Sequence, residues 1–234
     1  MIFTRLKTLT LKWHPAELGV LVWLSVIAFC VCSFAFIVDD VFEDGRHAFD
    51  EAVLRALRHS DNLSQPIGPA WLHIALKDIT SLGSTAVLAL ITFASFIYLL
   101  MDKKRGAAFF LLVAIGGGTL LNYGLKLLFR RPRPELVPHL TDFYSYSFPS
   151  GHAIMSAIVY LTLGAVLCRA IQDRTIKIYI LGVAVTMTLL IGFSRVYLGV
   201  HWPTDVLAGW CVGASWAILC DLTAFWLQRR HNKI

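Results

Sequence analysis

The sequence predicts an all-α polytopic membrane bundle of six transmembrane helices with an interfacial amphipathic segment, and three observations carry that prediction. Hydrophobic residues make up 57% of the 234 and charged residues 15%, against about 45–50% and about 25% in soluble domains. With a mean hydropathy of +0.66, so much apolar surface exceeds what an interior of this size can hide, because surface-to-volume scaling limits the buried fraction. The apolar residues also fall into nearly charge-free runs of about 20, the length that crosses a ~30 Å hydrocarbon core. A disordered chain, a coiled coil and a disulfide-stapled secreted module are excluded by the same figures.

The runs come in order at residues 18–38, 79–101, 106–129, 153–168, 178–194 and 206–228. The first follows Arg5, Lys7 and Lys12. It is longer than the ~7–15-residue core of a signal peptide and no A-x-A site follows, so a retained helix is expected. The third carries Lys126 near its end. The sixth is interrupted by Asp221, roughly 24 Å along the helix from Asp205 and so expected at the far boundary. Between the first two runs lies the polar segment 39–78, where Phe49, Val53, Leu54 and Leu57 recur at helical spacing while Asp50, Glu51, Arg55 and Arg58 are assigned to other faces. Such a helix either lies on the outer interface or packs against the bundle. The sequon Asn62-Leu63-Ser64 is short enough to arise by chance. Cys30, Cys32, Cys168, Cys211 and Cys220 sit in apolar stretches without paired spacing and are expected to be fillers.

With six spans, one side of the membrane holds both termini and the loops at 102–106 and 169–177. It takes 12 of the 21 basic residues, and the other side takes 9 together with most of the acids. The termini are therefore expected to be cytoplasmic. Residues 1–234 are expected to form a single membrane domain with 39–78 on the extracytoplasmic face.

The polar motifs gather in three places. Lys126 ends the third run, followed by Arg130, Arg131, Pro132, Arg133 and Pro134. Pro149-Ser150-Gly151-His152 opens the fourth. Ser194 and Arg195 close the fifth, and His201, Trp202, Pro203, Thr204 and Asp205 lead into the sixth. Antiparallel threading sends all of these ends to one rim of the bundle. Taken singly, each has a bland explanation: flanking cations anchor helices, Pro-Ser-Gly caps them, and an interfacial His is commonly a satisfied polar residue. The conjunction is what those explanations leave over, and ionisable groups in spans are costly enough to be functional candidates.

The chemistry indicated is phosphate handling. Lys126, Arg133 and Arg195 together balance a phosphate and the extra charge of its transition state. The Ser150 and Gly151 amides, at the positive end of a helix, offer an anion cradle with Ser150 Oγ as a further donor. Gly151 also permits close approach of the backbone. Pro203 suits a first helical turn, leaving His201 just before it. Asp205, about one turn on, is placed to hold His201 in the tautomer that keeps one nitrogen free to attack phosphorus. No H-E-x-x-H, carboxylate cluster or Cys/His ligand set is present in the sequence, so neither a metal nor another cofactor is expected.

These residues spell Lys126-Leu-Leu-Phe-Arg-Arg-Pro-Arg133-Pro134, Pro149-Ser150-Gly151-His152 and Ser194-Arg195-Val-Tyr-Leu-Gly-Val-His201-Trp-Pro-Thr-Asp205. The chain thereby resembles the type 2 phosphatidic acid phosphatases, of the superfamily that includes the vanadium haloperoxidases. Every position of that family's three motifs is matched over residues 126–205, and the six-span layout matches its membrane branch. The resemblance implies that His201 is a nucleophile forming a phosphohistidine, that Asp205 orients it, and that His152 protonates the leaving alkoxide and then activates water. It implies Lys126, Arg133, Ser150, Gly151 and Arg195 as ligands of the phosphate oxygens. Arg130 and Arg131 fall outside the fixed positions and are expected to be anchors or head-group contacts.

The function expected is an integral membrane lipid phosphate phosphatase, metal-independent, acting on a lipid phosphomonoester or diphosphate. Its expected partners are that lipid and the surrounding bilayer. Nucleic acid is not expected, because the basic residues are scattered between apolar runs. An undecaprenyl diphosphate phosphatase or a lipid phosphotransferase would use the same site. A soluble haloperoxidase does not fit six spans, and a non-catalytic binder or transporter is at odds with the presence of His201, His152 and Asp205 together. The loop at 135–148, with Phe143, Tyr144, Tyr146 and Phe148, either shapes the choice of lipid or forms an interfacial belt.

Overall fold

In the computed structural model, which describes residues 15–43, 48–141 and 145–231, the chain runs through eight helices and one short hairpin. In order these are α1 (Pro15–Glu43), α2 (Ala48–Ala56), β1 (Arg58–His59), β2 (Asn62–Pro66), α3 (Ala70–Ser81), α4 (Thr85–Met101), α5 (Arg105–Phe129), α6 (Gly151–Ala170), α7 (Arg174–Tyr197) and α8 (Pro203–His231). Among the described residues, helices at Leu18–Phe42, Arg105–Phe129, Gly151–Ala170, Arg174–Tyr197 and Pro203–Arg230 are long and apolar enough to cross a membrane. The protein is a multi-pass membrane protein. Arg5, Lys7, Lys12, Phe143 and Tyr144 lie outside the described residues.

The expected run 79–101 is not one straight helix. It breaks between α3 and α4, which are bent by 49° and make the sixth span when taken together. Ser84 caps α4 by accepting from the Val87 amide at 3.3 Å. Gly83 sits where a Cβ would press into the Ile191 side chain and stand 3.2 Å from His152 Cδ2. Hydropathy registers no such turn, because Leu82 and Gly83 keep the stretch apolar through the bend.

α6 is the central helix, with Ala153, Ile154, Ala157, Ile158 and Val159 all buried. α8 approaches it through Gly209 and Gly213, a G-x-x-x-G pair that lets backbones close up. A Cβ on Gly213 would stand 2.6 Å from the Ile154 carbonyl, and one on Gly209 2.9 Å from that of Ser150. This brings the start of α8 against the start of α6, where the Ser150 amide donates to the Asp205 carbonyl at 2.9 Å.

Two further contacts frame that rim. Phe148 is fully buried, its ring 5.1 Å from that of Phe129 and 5.9 Å from that of Phe34, so α1 and α5 grip the loop that enters α6. Of the loop aromatics, Phe148 is thus core, whereas Tyr146 is exposed. α2 is docked on the bundle: Leu54 packs with Ala153, Val196, Trp202 and Val206, while Phe49 faces outward. The hairpin is fastened by Arg58, which donates to the Tyr197 carbonyl at 3.0 Å. At the opposite end of the bundle Arg169 pairs with Asp221 at 2.5 Å, so that acid ties α8 to α6. All five cysteines are free thiols.

Candidate active site

The three motif clusters converge. Lys126, Arg133, Gly151, His152, Arg195 and His201 all line one cavity of about 810 Å³. His201 lies between α7 and α8 and is 2% exposed. Its Nδ1 faces Asp205 Oδ2 at 3.3 Å and its Nε2 lies 3.2 Å from Arg133 Nη1. An ionised carboxylate only accepts, so Nδ1 carries the proton and Nε2 presents its lone pair toward the cations. Burial first, and then the charges of Arg133, Arg195 and Lys126, push the His201 pKa well below its ordinary value. The imidazole is therefore neutral near pH 7, as a nitrogen nucleophile requires.

Lys126 and Arg133 are held by backbone carbonyls and Arg195 by a threonine hydroxyl. Lys126 Nζ donates to the Tyr146 carbonyl at 2.7 Å. Arg133 donates from Nε to the Ser145 carbonyl at 2.9 Å and from Nη1 to that of Val200 at 2.5 Å. Burial lowers its pKa to about 10, still leaving it charged at neutral pH. Arg195 is buried, bonded through Nη1 to Thr80 Oγ1 at 3.0 Å, while its Nε is buried without a hydrogen-bond partner. Ser150 Oγ and Asn122 Oδ1 are likewise buried and unpartnered. Such orphaned groups are expensive to bury, and an oxyanion reaching the Ser150 and Arg195 donors would satisfy both. A Cβ on Gly151 would lie 3.4 Å from Lys126 Cε and 3.3 Å from Asn122 Nδ2, so glycine keeps this approach open.

One detail of the sequence reading is corrected. The Ser150 amide is already committed to the Asp205 carbonyl, so Ser150 offers its hydroxyl rather than its N–H. Gly151 and His152 are the residues whose amides open the first turn of α6.

Arg131 is a larger correction. It is neither an anchor nor a head-group contact but a buried residue whose Nη1 reaches Asp205 Oδ1 at 2.6 Å and whose Nη2 reaches Asp50 Oδ2 at 2.8 Å. Arg130, by contrast, is exposed and closes α5 in a left-handed conformation. Asp50, assigned from sequence to a polar face, is 2% exposed. It lies three and four residues before Val53 and Leu54, so helical spacing puts it on their face, and an acid on an apolar face was the available signal. Ser147 and Thr80 join the site without any sequence signal, Ser147 by donating its hydroxyl to Asp205 Oδ2.

From the cations the cavity descends between α4 and α5, past Asn122 and Thr119 to Ile115 and Leu112 on one side and Thr92 and Phe96 on the other. From Asn122 to Leu112 is about 15 Å of helix. Polar near the rim and apolar below, the groove matches an amphiphile lying alongside the bundle. Among the described residues no group of three or more His, Cys, Asp or Glu side chains is arranged to hold a metal.

Comparison with known proteins gives a consistent set of relatives. The family model for the PAP2 superfamily matches residues 107–229. The chain is 34% identical over 171 residues to phosphatidylglycerophosphatase B of Bacillus subtilis, spanning 70% of this chain and 77% of that protein. It is 39% identical over 108 residues to an undecaprenyl-diphosphatase of Sulfolobus acidocaldarius, there spanning 44% and 46%. Among solved structures, the transmembrane PAP2-type phosphatidylglycerolphosphate phosphatase from Bacillus subtilis superposes with a TM-score of 0.75 at 28% identity, covering 88% of this chain and 96% of that one. LpxE of Aquifex aeolicus superposes with a TM-score of 0.55 at 28% identity, covering 76% and 96%.

Proposed function

The chain belongs to the PAP2 superfamily and is a membrane lipid phosphatase, and we propose that it hydrolyses a lipid phosphomonoester through a phosphohistidine on His201. The observation that carries this reading is the buried His201, with Nδ1 turned to Asp205 and Nε2 facing Arg133 among the phosphate-binding cations. His201 Nε2 attacks phosphorus while Lys126, Arg133, Arg195, Ser150 Oγ and the Gly151 amide take up the charge on the non-bridging oxygens. The bond to the lipid oxygen breaks, and His152 on the same cavity wall gives that oxygen its proton. His152 then takes a proton from water, which displaces His201 and releases inorganic phosphate.

The lipid's chains lie in the groove between α4 and α5. Phosphatidylglycerophosphate is the substrate favoured by the relative that matches most of the chain. A polyprenyl diphosphate is the second reading, favoured by the undecaprenyl-diphosphatase match. The termini and the loops carrying Lys103, Lys104, Arg105, Arg169, Arg174 and Lys177 are cytoplasmic, which puts the site on the extracytoplasmic face.

Phosphate release from a panel of these lipids by the detergent-purified chain, with excess EDTA, tests the reaction. Hydrolysis undiminished by EDTA is expected; strong dependence on added Mg²⁺ would remove the metal-free mechanism, and release from no lipid would remove the activity. The groove is tested separately at Gly116, which lines it and where a Cβ would meet nothing within 4 Å. Gly116→Leu is expected to raise KM for a long-chain lipid about tenfold, the loss of roughly two methylene contacts at ~0.8 kcal/mol each. Turnover of a short-chain analogue should stay unchanged, and an equal effect on both substrates would place the chains elsewhere.

A further inference from the structure

Asp205, the carboxylate behind His201, is shared between two partners. Its Oδ2 faces the imidazole and its Oδ1 accepts from Arg131. Left at that, Arg131 would draw the negative charge away from His201. The guanidinium is itself shared, because its other fork nitrogen binds Asp50 on α2 at 2.8 Å. Asp50 is held in place from several sides: it accepts from the Thr204 amide at 2.9 Å and from the Thr204 hydroxyl at 2.5 Å, and that hydroxyl in turn accepts from Arg131 at 2.9 Å. The whole set is buried, where charge is weakly screened. Asp50 also lies outside the stretch matched by the family model.

We infer that Asp50 is a positioning residue for hydrolysis, acting through Arg131 and Thr204 to set the charge and orientation of Asp205 behind His201. The inference rests on the reading of His201 as nucleophile. With Asp50 ionised, the trio Asp50–Arg131–Asp205 carries one net negative charge beside the imidazole; without it, none. His201 gains positive charge as it bonds to phosphorus, so that net charge stabilises the transition state more than the ground state. The hydrogen bonds to Thr204 also fix the first turn of α8, which carries Asp205.

The charge argument separates this role from mere scaffolding. Removing a negative charge near an anion site does not weaken phosphate binding, whereas a damaged site binds phosphate poorly. Turnover, KM and inhibition by inorganic phosphate are to be measured on the full chain for Asp50→Asn, Thr204→Val, His201→Ala and the unaltered protein. Asp50→Asn is expected to lose about tenfold in kcat, the scale of coupling between residues of one hydrogen-bond and ion-pair network, with KM and the phosphate inhibition constant unchanged or lower. Thr204→Val should show the same pattern, several-fold. Unaltered kcat in Asp50→Asn, or an inhibition constant that rises in step with the loss of kcat, overturns the inference. If Asp50→Asn does not stay monodisperse, Thr204→Val decides by the same two criteria. Retained turnover in His201→Ala brings down the nucleophile reading and this inference with it; an inactive His201→Ala beside a fully active Asp50→Asn brings down this inference alone.

Discussion

His201→Ala is expected to lower kcat for lipid phosphate hydrolysis by at least about 10⁴-fold, the scale of losing a covalent nucleophile. No other group among those lining the cavity presents an uncharged lone pair backed by a carboxylate: Lys126, Arg133 and Arg195 are cations held by carbonyls or Thr80. The residual rate comes from the phosphate cradle alone. Because Lys126, Gly151, Arg195 and Ser150 remain, inorganic phosphate should still inhibit, which distinguishes a missing nucleophile from a misfolded bundle. His201 is buried, so Ala leaves a void, and His201→Gln serves as the variant that keeps the volume. Activity near that of the unaltered chain in either variant would refute the covalent route.

His152→Ala carries the second large effect, a loss of about 10²–10⁴-fold in steady-state turnover of the lipid, the usual worth of a positioned general acid–base. His152 stands in the first turn of α6 and is backed by the α3–α4 break, where Gly83 leaves room for the ring. The loss should divide between the two half-reactions in a way that identifies the role. With p-nitrophenyl phosphate, whose leaving group departs without a proton, phosphorylation of His201 needs little help, but its hydrolysis still requires a base. His152→Ala is therefore expected to release one equivalent of nitrophenol per site in a burst, then turn over slowly. If its loss is equally severe in the burst, His152 is not the proton donor to the leaving group.

The candidate site residues were legible because their types and spacing are constrained together. Lys126, Arg133, His152, Arg195, His201 and Asp205 meet around one cavity because six apolar runs thread their ends to one rim. Span counting alone is therefore enough to bring these ends together. Arg131 and Asp50 were not found in this way. An ion pair between residues 81 apart leaves no periodic trace, and Arg131 stands among four other residues of a run that reads as a membrane anchor. Asp50 was legible in principle from its spacing to Val53 and Leu54. The bend at Gly83 was hidden for a different reason: hydropathy measures partition into lipid, and a capped turn made of Leu, Gly and Ser partitions almost like a helix.

The account stands most directly on a covalent bond between His201 and phosphorus. Rapid-quench mixing of His152→Ala with p-nitrophenyl phosphate carrying a radiolabelled phosphate, followed by peptide mapping, reads that bond. The expected result is an acid-labile, base-stable phosphoryl group on His201, forming faster than phosphate is released and approaching one per chain. Steady release of labelled phosphate with no label on His201, or with the label on another residue, would contradict it.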